Sequence, residues 1–122
     1  MKGKELLSEK IETIGTRDTV RDAAEKMKRL GTGAVPLFDD GMPVGIITGG
    51  DITTRVVAEG KDPDQTPAID VLTPGVISCG VDDDAKEALR LMGDKKVHRL
   101  LVLDERRRPV GIVSVGDLAA RL

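Results

Sequence analysis

Apolar positions along the chain switch between a helical and a strand period, and the order of the switches occurs twice. Val20, Ala23, Ala24, Met27 and Leu30 fall on one face of a helix, and Ala85, Ala88, Leu89 and Met92 do the same further on. Thr19-Val-Arg-Asp22 and Asp84-Ala-Lys-Glu87 put a side-chain acceptor before each stripe and a carboxylate three residues later, the capping-box signature of a helix start. After each stripe come an apolar run (34–38, 99–103), a polar turn (39–41, 104–108) and a second apolar run (44–48, 110–114), which predicts a β-hairpin. Short extended stretches at 11–14 and 76–79 precede the helices, and short amphipathic entry segments at 5–8 and 69–73 precede those. Closing helices are expected from near Asp51 and Asp117. Each copy therefore reads β-α-β-β-α.

The copies match residue by residue. Residues 43–51 read P-V-G-I-I-T-G-G-D and residues 109–117 read P-V-G-I-V-S-V-G-D. Glu5-Leu6-Leu7-Ser8 aligns with Asp70-Val71-Leu72-Thr73, and Ile11, Gly15, Asp18, Ala23 and Met27 align with Val76, Gly80, Asp83, Ala88 and Met92. One extra residue in the charged turn Glu105-Arg106-Arg107-Arg108 shifts the register. This is an internal duplication, with repeats at 5–57 and 70–122 and a connector at 58–69 rich in Asp, Gly, Lys and Pro. A unit of about fifty residues buries too little surface to stand alone. The expected fold class is therefore α+β, with two pseudo-twofold-related β-α-β-β-α repeats packed face to face.

Composition narrows the function. The chain has 122 residues, is 33% charged and carries a formal net charge of only −2, so no basic excess exists to neutralise nucleic-acid phosphates or an anionic membrane. One Phe and no Tyr or Trp leave no aromatic platform for stacking bases. Cys79 is the single cysteine, which excludes an internal disulfide and fits a reducing compartment. It aligns with Ile14 and reads as a small buried hydrophobe. No long apolar run follows the N-terminus, so a soluble, cytoplasmic chain is expected, without signal peptide or membrane span. His98 is the only histidine, no second Cys or His stands at metal-ligand spacing, and no nucleophile elbow occurs. Neither catalytic residues nor a metal are expected. The run Arg106-Arg107-Arg108 reads as a solvated turn, with a docking surface for an acidic partner as the alternative.

The chemistry concentrates in the doubled motif. Thr48 lies where a strand gives way to a helix, and Asp51 lies in that helix's first turn. A helix start offers free N–H groups to an anion, a hydroxyl adds a hydrogen bond, Gly49 and Gly50 let a ligand approach the backbone, and a carboxylate can accept both hydroxyls of a ribose. The set suits a ribonucleotide. Equally, Thr48 with Asp51, and Ser114 with Asp117, can simply cap their helices.

The strings G-I-I-T-G-G-D and G-I-V-S-V-G-D, the entry segments ending Leu7-Ser8 and Leu72-Thr73-Pro74, Gly33-Ala34-Val35-Pro36-Leu37 and Val97-His98-Arg99-Leu100 together resemble a tandem pair of CBS domains, the Bateman module, over nearly the whole chain. The resemblance implies a non-catalytic sensor that takes AMP, ADP or ATP in clefts between the repeats as a regulatory ligand, with no cofactor required. NAD or S-adenosylmethionine is the alternative ligand, and a structural or dimerisation module with empty sites the alternative role. It implies that Asp51 and Asp117 hold ribose hydroxyls and that Thr48 and Ser114 contact ribose or phosphate. It places backbone at Thr13-Ile14 and Ser78-Cys79, and strands at Val35-Pro36 and Arg99-Leu100, around the base, with His98 and Arg99 near phosphate. A homodimer and a separate effector protein are the implied partners. The chain departs from the family in having Leu101 where a proline is usual, and Gly49-Gly50 and Val115-Gly116 where polar groups often precede the Asp.

Overall fold

In the computed structural model, which describes residues 12–75, 78–95 and 98–115, the first helix starts as its sequence predicts. The Thr19 hydroxyl accepts the Asp22 N–H, and the Asp22 carboxylate accepts the Thr19 N–H in return. This closed capping box satisfies two of the free donors at a helix start. Helix α1 runs Val20–Leu30 and stops at Gly31, whose φ of 69° is the left-handed conformation that a C-terminal glycine supplies. It buries Val20, Ala23 and Met27 and leaves Ala24 and Leu30 half-buried.

Strands β1 (Ala34–Asp39) and β2 (Met42–Thr48) form the expected hairpin. Its two-residue turn, Asp40-Gly41, has φ values of 51° and 79°. Two successive positive φ angles match the twist of the flanking strands, and Asp-Gly tolerates them. The pairing slips where Leu37 faces Gly45 and Phe38 faces Pro43, leaving Val44 as an extra residue. The second hairpin, β5 (Arg99–Leu103) with β6 (Pro109–Ser114), slips at the same place: Val102 faces Gly111, Leu103 faces Pro109, and Val110 is extra. A bulge tolerates a proline, which has no N–H for the ladder. Part of the doubled P-V-G motif is thus explained by strand geometry.

The chain forms two compact units. One spans Glu12–Val76. In it Ile14 bridges to Leu37 along the other edge of β1, and a two-residue strand, β3 (Thr73–Pro74), pairs with β2 at Gly45 and Ile46. After β2 comes α2 (Gly49–Ile52), which widens into a π-helical turn at Thr53–Val57. The Thr53 and Thr54 hydroxyls donate to the carbonyls of Gly49 and Gly50. Such back-bonding competes with the ordinary helical ladder and favours a wider turn.

The connector is bonded to the start of α1. Its Thr66 and Pro63 carbonyls accept the N–H groups of Val20 and Arg21 at the start of α1, Asp18 O accepts Ala68 N–H, and Arg21 pairs with Asp64. Ala68, Val71 and Leu72 then enter the core with Ile14, Val20, Leu37, Ile47 and Val56. The entry segment of the second repeat is therefore packed as part of the first unit.

The other unit is described over 78–115. Strand β4 (Ser78–Gly80) pairs in parallel with β5, and helix α3 (Ala85–Lys95) packs Ala85, Ala88 and Met92 against Cys79, Leu100, Val102 and Val113. The Asp84–Glu87 box forms only by half. Asp84 accepts the Lys86 N–H, but Glu87 pairs with Arg90 one turn on. The longer turn also differs from the first. The Asp104 carboxylate accepts the N–H groups of Arg106 and Arg108 and the Arg108 guanidinium. The Arg108 N–H above all holds this carboxyl below its ordinary range. Arg108 thus closes the turn, while Arg106 and Arg107 stay exposed. Among the described residues, no helix is long and apolar enough to cross a membrane.

Candidate functional site

Strand register sorts the sequence-predicted residues onto two faces. Residues directly opposite each other across a sheet share a face, and neighbours along a strand alternate. In the first unit Ile14, Val35, Leu37 and Ile47 point into the core. The opposite face carries Ala34 paired with Thr48 and Pro36 paired with Ile46, with Thr13 next to Pro36 through the bond from Ile14 N–H to Pro36 O (3.0 Å). In the second unit Cys79, Leu100, Val102 and Val113 are core, and the opposite face carries Ser78 beside Leu101 and Arg99 beside Ser114. The structure therefore brings Thr13, Pro36 and Thr48 together, and Ser78, Arg99 and Ser114 together. Ile14, Val35, Cys79 and Leu100 can offer a ligand only their backbone.

At the end of β2 both functions considered for Thr48 and Asp51 become concrete. The Thr48 hydroxyl accepts the Asp51 N–H at 3.1 Å, and Asp51 Oδ2 accepts the Thr48 N–H at 2.9 Å. The pair is a capping box. Gly49 N–H is taken by Gly33 O at 3.0 Å, so the helix start spends donors on the protein's own acceptors and is a poorer anion site than its sequence suggests. Asp51 is more than a cap, however. It is the one buried charged side chain among the described residues, at 8% exposure. It also accepts the Thr73 hydroxyl at 3.2 Å on Oδ1 and 3.5 Å on Oδ2. A carboxylate has about four acceptor positions, and these bonds do not fill them. Gly49 is open on the side where a Cβ would stand.

Thr73 and Arg55 were not singled out by the sequence reading. Thr73 meets Asp51, and Arg55 Nη1 donates to the carbonyls of Val71 and Leu72, both at 3.2 Å. The signal was in the duplication: Thr73 aligns with the hydroxyl of Ser8, and Arg55 with Arg121.

In the second unit His98 is exposed, its carbonyl accepts Val115 N–H at 2.9 Å, and Arg99 is half-buried across from Ser114. Asp117 lies outside the described residues. A surface cavity of about 330 Å³ on the helix side of this unit is lined by Cys79, Asp83, Asp84, Glu87, Arg90 and Asp94 among others. Four carboxylates repel phosphate, and three already have partners in Gly80 N–H, Lys86 N–H and Arg90. It does not suit a nucleotide. No group of three potential metal ligands occurs among the described residues.

Burial first, and then the charge of Asp83, pushes the Cys79 thiol up from 9.0 to about 11. Cys79 is expected to resist a thiol reagent at pH 8 and to react fully once urea unfolds the chain. Because the folded thiol holds its proton more tightly, its contribution to stability is complete below pH 9 and is lost as pH rises toward 11. Urea midpoints across that window check this, with Cys79→Ala, which removes the titration, as the control.

A CBS-domain model matches residues 4–58 and 68–122. The chain belongs to the CBS-domain family. As a tandem CBS pair it is 33% identical over 116 residues to the CBS domain-containing protein YhcV of Bacillus subtilis, covering 95% of this chain and 81% of that protein. It is 36% identical over 102 residues to protein MK0525 of Methanopyrus kandleri, covering 83% of this chain but only 52% of that longer protein. Among solved structures, the CBS domain pair of protein MJ0100, in complex with 5′-methylthioadenosine and S-adenosyl-L-methionine, superposes with a TM-score of 0.83 at 26% identity, covering 99% of this chain and 94% of that one. The α+β CBS-pair fold expected from the sequence is the fold observed, with a three-stranded sheet in each unit.

Proposed function

We propose that this CBS pair is a non-catalytic sensor for adenosine-containing small molecules, with Asp51 accepting ribose hydroxyls. The observation that carries this reading is the Asp51 carboxylate. It is buried yet not saturated, and it stands beside Gly49, which leaves the backbone open to approach. Two hydroxyls on adjacent ribose carbons suit the remaining acceptor positions of one carboxylate. The adenosyl ligands of the MJ0100 pair support the ligand class. Thr13, Pro36 and Thr48 lie on the face that meets the base and ribose, and Ser78, Arg99, Ser114 and Asp117 form the counterpart.

The two sites are unequal. Arg99 gives the second a phosphate-binding charge with the His98 imidazole beside it in sequence, whereas Gly33 and Ala34 stand at the aligned positions of the first. AMP, ADP or ATP therefore suits the second site, and a neutral or cationic adenosyl compound suits the first. NAD, carrying two ribose groups, is the remaining candidate. The protein acts as a homodimer and passes ligand state to a separate effector. One observation favours a different role: the Thr48–Asp51 capping box accounts for both residues without a ligand, which fits a dimerisation module with empty sites.

Titration calorimetry with AMP, ATP, NAD, S-adenosylmethionine and methylthioadenosine separates the readings. Saturable binding of at least one is expected, and heat-neutral titration by all five would leave the dimerisation module. With no Trp or Tyr in the chain, an absorbance peak near 260 nm in purified protein independently reports retained adenine.

A further inference from the structure

Thr73 is where the candidate site meets the segment that leads into the second repeat. The Thr73 hydroxyl donates to Asp51 at 3.2 and 3.5 Å, long for a hydroxyl on a carboxylate, where about 2.5–2.7 Å is usual. The other donor to Asp51, Thr48 N–H, is 2.9 Å away and belongs to the capping box, so losing it would also uncap α2. Of the two, the exposed Thr73 side chain is the one an incoming hydroxyl pair displaces at least cost. Its strand is lightly held. β3 has two residues, and Gly75 N–H bonds Val44 O at 3.2 Å. The Arg55 contacts to Val71 and Leu72 are also 3.2 Å.

We propose that Thr73 is a positioning residue that holds the Asp51 carboxylate through its hydroxyl and yields it to the ligand's vicinal diol, so that binding at Asp51 loosens β3 from β2. This rests on the adenosine reading above. The ligand class it names is a cis-diol, and the element that responds is Thr73–Pro74. Ribose is thereby read as a competitor for a bond the protein makes to itself, and the cost of breaking that bond sets affinity.

Thr73→Val keeps the shape and removes the competing hydroxyl. It is expected to tighten methylthioadenosine or S-adenosylmethionine binding by about three- to tenfold, the range of one net hydrogen bond, and to leave the affinity for the matching 2′,3′-dideoxy compound unchanged. Thr73→Ser, which retains the hydroxyl, is expected to behave as wild type. In hydrogen exchange, ligand is expected to accelerate the Gly75 amide in the wild type, and Thr73→Val to accelerate it without ligand. A purely structural Thr73 would change diol and dideoxy ligands alike. Equal effects on both, weaker diol binding in Thr73→Val, or slower Gly75 exchange on ligand addition would each overturn the inference. Saturable wild-type binding with no effect of Thr73→Val would overturn it alone, whereas no wild-type binding to any adenosine compound would overturn the adenosine reading with it.

Discussion

Gly45→Ala is expected to be the most destabilising small substitution in the first unit. A Cβ at Gly45 would stand 2.5 Å from the carbonyl oxygen of Thr73, 2.7 Å from Leu72 Cδ1 and 3.3 Å from Pro74 Cα. Two of those three atoms are backbone and cannot rotate away. The methyl must push β3 off β2, and with it Leu72, which is buried in the core. Overpacking alone costs about 1–3 kcal/mol, and partial exposure of Leu72 adds a fraction of the about 1.5–3 kcal/mol that full exposure of a large apolar side chain costs. A loss of roughly 3 kcal/mol is therefore expected, enough to lower the melting temperature by about 10 °C in a chain of this size. Gly49→Ala is the control. It lies at a helix start with no atom within 4 Å of its Cβ position and is expected to leave the stability within about 1 kcal/mol of wild type. Thermal unfolding followed by far-ultraviolet circular dichroism measures both. Equal midpoints for the two variants would show that β3 does not rest on Gly45.

Gly45 also shows what the sequence could and could not disclose. Its recurrence at Gly111 marked a position of consequence, but the reason lies in a strand that crosses it from Thr73 and Pro74, far along the chain. Local chemistry was legible because its partners are near in sequence. The Thr19–Asp22 box, the Asp40-Gly41 turn and the amphipathic stripes of α1 and α3 each follow from residues within a turn or two of one another. Where two local partners compete, the pattern misleads: Glu87 stands three residues from both Asp84 and Arg90 in sequence, and it pairs with Arg90. The connector was legible only as a connector, because composition records Gly, Pro and charge. It does not record that Thr66 and Pro63 offer carbonyls to the start of α1. The same blindness hid Thr73. The duplication placed a hydroxyl at Ser8 and Thr73, yet only the packed chain brings Thr73 to Asp51.

Strand face separates structural from binding roles among the candidate residues, since Pro36 and Asp51 are buried as well. The side chains of Val35, Leu100, Ile14 and Cys79 fill the two cores, which leaves their backbone for a ligand, as the resemblance implies for Ile14 and Cys79. A strand puts alternate residues on opposite faces, so consecutive pairs such as Val35-Pro36 or Leu100 with Arg99 cannot both face a ligand. Alternation was available in the sequence. Deciding which member of each pair faces inward required the packing of α1 and α3, whose buried residues cluster with Val35 and Leu100.

Asp51→Ala is expected to reduce affinity for an adenosine ligand at the first site by about 10- to 150-fold, the equivalent of 1.5–3 kcal/mol for hydrogen bonds to a charged group. The difficulty is that Asp51 also closes a capping box, so loss of binding and loss of structure arrive together. Asp22 resolves this. It occupies the same position in an equivalent box, with Asp22 N–H to Thr19 Oγ1 at 3.2 Å and Thr19 N–H to Asp22 Oδ2 at 2.9 Å, against 3.1 and 2.9 Å for Asp51. Asp22 is exposed, whereas Asp51 is buried. Asp22→Ala is expected to cost about 1 kcal/mol of stability and to leave binding untouched. Asp51→Ala is expected to cost about 2 kcal/mol, because it leaves the part-buried Thr48 N–H without its acceptor and also removes the acceptor of the Thr73 hydroxyl. Calorimetric titration well below both unfolding midpoints then reads binding by folded protein. If Asp51→Ala binds as tightly as Asp22→Ala under those conditions, Asp51 is a helix cap and the ribose must be sought elsewhere.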